Sequence, residues 1–145
     1  MHFIFTTLGY HPDLAGGAFR YVRELAEGLA HRGNRVDVLY PSADEKEPPV
    51  TSELRNGVQL YRFRIARATF WHNWRDRNDA MLERLRILRR DDPRALIVSC
   101  HGYFVSAVAR CGGPTISLFT GPWAEEFLQS DVLKSKPLAR EKIIV

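Results

Sequence analysis

Apolar and polar positions alternate between two periods along this chain, and the alternation predicts strands and helices in turn. Residues 2–8 (HFIFTTL) form a short apolar, aromatic and β-branched run suited to a buried parallel strand. After a loop containing Gly9, Pro12, Gly16 and Gly17, apolar residues recur at Phe19, Val22, Ala26, Leu29 and Ala30. Arg20, Arg23, Glu24 and Glu27 fall on the opposite side, so the segment reads as an amphipathic helix, which Gly33 ends as a left-handed cap would. Residues 35–40 (RVDVLY) are a second strand, and the three elements make a β-α-β unit with a right-handed crossover.

Residues 41–56 carry three prolines and four acids and read as a surface loop. A third strand is predicted over 58–63, then a helix from about Trp74 to Arg90 with Trp74, Asn78, Met81, Leu85 and Leu88 on one line. Asn78 is the weak point of that stripe. Residues 95–100 (ALIVSC) predict a fourth strand, 104–110 a small helix and 115–119 (TISLF) a fifth strand. Thr120-Gly121-Pro122 leads into a helix from Trp123, with proline in its first turn and Glu125-Glu126 beside its positive end. The expected architecture is α/β, a doubly wound parallel sheet of at least five strands. Residues 137–145 read as a helix stopping in mid-course, and no sixth strand follows. The expectation is therefore one truncated domain over residues 1–145, with a complete five-strand flavodoxin-like domain as the alternative.

Composition narrows the classes of function. At 145 residues, 45% apolar and 26% charged, the chain is ordinary globular protein. No apolar run approaches the length of a membrane span, and residues 1–5 lack the basic region of a signal peptide, so a cytoplasmic protein is expected. Cys100 and Cys111 are too few for a disulfide scaffold. The five histidines show no metal-ligand spacing, so neither metal nor cofactor is expected. Charge is uneven. The net charge is +4, but nine arginines and three acids between Arg62 and Arg90 give that segment +6. Phe70, Trp71 and Trp74 are interleaved with it, a combination suited to an anionic membrane surface; a solvated helix face is the plain alternative.

The loop before the first helix carries the main chemical signal. Free N–H groups at a helix start favour an anion, and paired glycines such as Gly16-Gly17 let a phosphate approach the backbone. GxxxxGK[ST] is missing, which excludes a P-loop NTPase. GxGxxG is missing too, and the second strand ends in Tyr40-Pro41 instead of a ribose-binding acid, which argues against a nicotinamide dehydrogenase. His101 and Tyr103 follow the fourth strand, where ligands of such sheets bind, and could hydrogen-bond a polyol or assist proton transfer. Thr120 and Gly121 stand in the matching place after the fifth.

The run from Gly9 to Val38 resembles the amino terminus of GT-B glycosyltransferases of glycosyltransferase family 4: strand, proline-containing loop, Gly-Gly, an "LA..LA.RGH.V.V" helix and a second strand. Asn34 replaces the usual histidine. Residues 118–126 (LFTGPWAEE) are similar to the family's "FHGPW..E" segment, and His101 falls where many members carry a histidine. The resemblance implies a Rossmann-like, acceptor-side domain whose donor-binding carboxyl-terminal partner domain is absent. It implies a retaining, metal-independent transfer of a sugar from a nucleotide-sugar donor to an acceptor hydroxyl. Gly16 and Gly17 would bind the donor phosphates; His101, Tyr103, Thr120 and Gly121 would bind a sugar or lipid-linked acceptor. Thr120 stands at the family histidine position and cannot titrate near neutral pH, so the catalytic group is left open. On this reading the isolated chain is inactive and self-associates through an uncovered face, and it meets a membrane peripherally through the Arg62–Arg90 segment. Nucleic acid is not an expected partner. The rival is a basic α/β module that binds an anionic surface or nucleic acid and catalyses nothing.

Overall fold

The computed structural model describes residues 1–42, 50–64, 70–100 and 102–118, with backbone alone for residues 70–74. The order of elements is β1 (His2–Thr6), α1 (Gly17–His31), β2 (Arg35–Ser42), β3 (Val50–Arg55), β4 (Val58–Arg64), α2 (Phe70–Asp91), β5 (Leu96–Ser99), a 3-10 turn (Gly102–Phe104), α3 (Val105–Cys111) and β6 (Thr115–Ser117).

These strands form one six-stranded sheet in the order β3-β4-β2-β1-β5-β6. β1 pairs in parallel with β2 (Phe3 beside Val36) and with β5 (Phe3 beside Leu96), so the expected β-α-β unit forms. Setting β3 aside, the remaining five strands follow the 3-2-1-4-5 order of a Rossmann half. Helices cover both faces. Val22 and Ala26 of α1 pack on Phe5, Val38 and Leu60 on one side. On the other, Met81 and Leu85 of α2 and Val108 of α3 pack on Ile4, Leu39 and Ile97. The apolar run of β1 is thus explained, because alternate residues enter different cores. Gly33 stops α1 as expected: its φ is +78°, and its N–H bonds the Ala30 carbonyl at 2.9 Å.

Several boundaries depart from the sequence reading; β1 ends at Thr6 and β2 runs on to Ser42. The segment read as loop over 41–56 contains β3, antiparallel to β4 with Val50 beside Phe63 and Arg55 beside Val58. The cause is the Asn56-Gly57 turn, where both residues take positive φ (+50° and +80°), the geometry of a tight two-residue hairpin. The sheet is therefore mixed, not wholly parallel. α2 starts at Phe70, earlier than Trp74, and β6 is three residues long. The helices expected from Trp123 and over 137–145 lie outside the described residues.

Candidate functional site at the carboxyl edge of the sheet

β1 and β5 are neighbours, and the chain leaves them toward opposite faces: β1 leads to α1, β5 to α3. This is the point where strand order reverses, and crevices for ligands open there beyond the carboxyl ends of the strands. The loop ending in Gly16-Gly17 and the turn bearing Tyr103 both leave the sheet at this edge.

The loop after β1 is heavily tied. Thr7 donates its hydroxyl to the Gly9 carbonyl at 3.0 Å, and the Leu14 N–H reaches the Tyr10 carbonyl at 3.0 Å. A Cβ on Gly9 would stand 2.6 Å from Leu14 Cδ2, so the turn closes only around a glycine. Tyr10 is fully buried, stacks on Tyr40 at 6.3 Å between ring centres, and donates to Glu27 at 3.4 Å. Burial and the Glu27 carboxylate push its phenol well above the usual range. The Arg23 guanidinium meets Nδ1 of His11 at 2.8 Å. The His11-Pro12 peptide is cis. Asp13 accepts from Tyr40 at 2.8 Å and from Arg55 at 3.0 Å.

Gly16 has φ +147°, a conformation other residues rarely adopt, and it occupies the N-cap of α1 with no side-chain capping bond. The first turn of α1 holds no acidic residue, so no carboxylate of its own offsets the positive end of its dipole. Gly17 differs from Gly16. It lies in the helix without a positive φ, and a Cβ there would meet nothing within 4 Å. The need for glycine geometry therefore sits at Gly16, and the open approach at Gly17.

Across the edge, the ring of Tyr103 meets Phe104 edge-on at 5.3 Å and lies under the Arg77 guanidinium at 5.7 Å, a cation–π distance. Asn78, the weak point of the α2 stripe, is buried with its polar atoms partnered. It donates to the Tyr103 carbonyl at 3.0 Å and accepts from the Ala107 N–H at 3.1 Å. The other acceptor-side residues expected from the sequence, His101, Thr120 and Gly121, lie outside the described residues.

The arginines between residues 62 and 90 divide among several tasks. Arg62, on β4, faces Glu53 at 3.6 Å. Arg75 and Arg110 share Asp79, and Arg89 donates to the carbonyls of Gly112 and Pro93. Arg86 and Arg90 are exposed on α2. Among the described residues, no helix is long and apolar enough to cross a membrane, and no group of three or more His, Cys, Asp or Glu could hold a metal ion. Cys100 is buried, which pushes its thiol up to about 12.

Sequence reasoning missed two clusters. One is the Asp13–Tyr40–Arg55 network, whose legible signal was the Asn-Gly hairpin turn at 56–57. The other lies at the amino edge of the sheet, far from the ligand end. There buried His2 bridges Asp37 at 2.9 Å and Asp92 at 3.2 Å, and Arg35 also meets Asp37 at 3.2 Å. Residues 37 and 92 carry no local pattern that would announce this pairing.

The fold has known counterparts. Sucrose-phosphate synthase from Thermosynechococcus elongatus superposes with a TM-score of 0.66 at 15% identity, covering 97% of this chain and 38% of that one. An α,α-trehalose-phosphate synthase (UDP-forming) from Burkholderia vietnamiensis is more distant, with a TM-score of 0.45 at 16% identity over 97% of this chain and 36% of that one. The chain thus spans well under half the length of these enzymes. No curated sequence relative matches it. The model of Glycosyltransferase Family 4 matches residues 15–142, nearly the whole length, and the six-stranded sheet is of the Rossmann-like, GT-B kind. The chain belongs to glycosyltransferase family 4.

Proposed function

We propose that this domain forms the acceptor side of a retaining, metal-independent glycosyltransferase that moves a sugar from a nucleotide-sugar donor to an acceptor hydroxyl. The observation that carries this reading is the uncapped start of α1 at Gly16-Gly17, opening at the carboxyl edge beside β1 in a family-4 domain. When the bond between sugar and nucleotide breaks, negative charge grows on the departing phosphate. Backbone N–H groups and the dipole at Gly16-Gly17 would hold that phosphate from donor binding through bond breaking. Tyr103 would line the acceptor pocket, with its backbone held by Asn78 and its ring by Phe104 and Arg77. His101, Thr120 and Gly121 complete the acceptor side on this reading. Thr120 can orient an acceptor hydroxyl by donating and accepting hydrogen bonds, but it cannot hold a proton near neutral pH.

Gly17→Val in the enzyme carrying this domain is the direct test. The site has open space and ordinary helical backbone, and valine is no poorer a helix former than glycine, so the variant folds. The branched side chain would block phosphate approach and raise the KM for the nucleotide sugar. Unchanged donor kinetics in the folded variant would reduce Gly16-Gly17 to a connector.

A further inference from the structure

We propose that Arg55, on the antiparallel hairpin β3–β4, is a positioning residue for donor binding. It holds Asp13, and through Asp13 it sets the course of the loop that delivers Gly16 and Gly17. The inference rests on the donor-phosphate reading of those glycines and adds a residue far from them in sequence.

The two oxygens of Asp13 are used separately. Oδ2 accepts from the Tyr40 hydroxyl at 2.8 Å and Oδ1 from the Arg55 guanidinium at 3.0 Å. Arg55 cannot swing away freely, because Glu53 holds it in fork fashion at 2.9 and 3.1 Å. Glu53 and Arg55 lie on one strand and Tyr40 on another, so the anchor points are fixed by the sheet. A second tie runs parallel to the first. Asn56, in the hairpin turn, donates to Glu27 at 3.0 Å, and the same Glu27 oxygen accepts from Tyr10. The hairpin therefore grips the loop at Tyr10 and again at Asp13, and Gly16 follows three residues later.

Charge points to positioning and not to ligand capture. Asp13, Arg55, Glu53 and Arg62 alternate in sign and answer one another, and Asp13 itself would repel a phosphate. The Asp13 and Arg55 side chains are about a quarter exposed, so the pair is neither surface decoration nor a buried charge without solvent. An antiparallel hairpin added to the edge of a Rossmann half is thus tied to the loop at its carboxyl edge.

Variants at Asp13 and Arg55 separate positioning from general stability. Asp13→Asn keeps both contacts, since its oxygen can accept from Arg55 while its amide donates to the Tyr40 oxygen. Asp13→Leu removes both. Arg55→Lys keeps the charge but not the fork that reaches Glu53 and Asp13 together. Two readouts are needed: amide hydrogen exchange over residues 9–17 without donor, and donor KM and kcat in the enzyme carrying the domain. Asp13→Leu and Arg55→Lys should speed exchange in the loop and raise donor KM by about ten- to a hundredfold, the scale of an ångström-sized misplacement. Acceptor KM should hold and kcat change little, and Asp13→Asn should stay near wild type. Unchanged loop exchange in Asp13→Leu overturns the proposal. If Gly17→Val raises donor KM and Asp13→Leu does not, the positioning role falls and the glycine reading stands. If Gly17→Val also leaves donor KM unchanged, the glycine reading falls and takes this one with it.

Discussion

Replacing Asn78 with leucine tests how α2 holds the acceptor side of the edge. Asn78 performs an unusual service for α3. The residue at the N-cap of that helix is Phe104, which has no side-chain oxygen to offer, and Asn78 supplies one from the neighbouring helix to the Ala107 N–H. Its amide meanwhile satisfies the Tyr103 carbonyl. Leucine fills nearly the same volume but leaves a donor and an acceptor without partners. Each unsatisfied buried group costs roughly 1–3 kcal/mol, and the added apolar contact returns about 1 kcal/mol, for a net loss of about 1–5 kcal/mol. In a domain of this size 1 kcal/mol moves the unfolding midpoint by about 2–4 °C, so a drop of roughly 2–20 °C is expected in a thermal melt. Faster amide exchange at Ala107 should accompany it. Asn78→Asp retains the acceptor but sets a carboxylate against the Tyr103 carbonyl. Its protonated form can donate, so that variant should gain stability relative to wild type as pH falls. A leucine variant melting within 2 °C of wild type would mean that water or backbone adjustment satisfies both groups.

Two further outcomes follow from the loop. Burial alone would raise the Asp13 carboxyl, but the bonds from Tyr40 and Arg55 outweigh it and hold the carboxyl below its ordinary value of 3.8. Because the folded state lowers this pKa, the clamp's stabilisation is complete above the ordinary carboxylate range and is lost as pH falls through the depressed value. Loop exchange, corrected for its intrinsic pH dependence, should stay level from pH 7 to 5, rise below about pH 4, and lose that rise in Asp13→Asn; a rise centred near neutral pH would contradict it. Gly9→Ala should destabilise the domain by about 1–3 kcal/mol in a denaturant melt, because its Cβ would press on Leu14, whereas Gly17→Ala should leave stability unchanged or raise it by up to about 1 kcal/mol; equal losses would contradict the packing described for the two glycines.

Elements that bury whole faces were the legible ones. The runs at 2–8, 35–40 and 95–100 name their own strands because a parallel sheet covered on both sides needs apolar residues at consecutive positions. The amphipathic stripe of α1 and its stop at Gly33 are local properties, and they held. β3 was missed because the prolines and acids of 41–49 coloured the whole segment, although Asn56-Gly57 carries the hairpin signal. Asn78 looked like a fault in a stripe because its partners, Tyr103 and Ala107, lie beyond the next strand. Asp13 and Arg55 are 42 residues apart, and no periodic pattern links them. At the site, the glycine loop was legible from order and composition, but the positive φ of Gly16 and the open space at Gly17 are set by the tertiary fold and leave no local pattern.

The central position of β1 has a consequence for the growing polypeptide. β1 acquires one neighbour from residues 35–39, soon after it is made, but its other neighbour comes only from residues 96–99. In between, the ribosome delivers β3, β4 and the long α2. A nascent chain thus holds one side of its first strand open until residues 96–99 have been made, with unpaired peptide groups that another chain could take up. The hairpin at 56–57 can close locally in that interval and widen the partial sheet on the far side, away from the exposed side of β1. Chains stalled before residue 96 should remain sensitive to protease along β1 and prone to associate, and chains stalled after β5 has left the tunnel should become protected. Protection of β1 in the shorter chains would mean that α2 shields it before its partner strand exists.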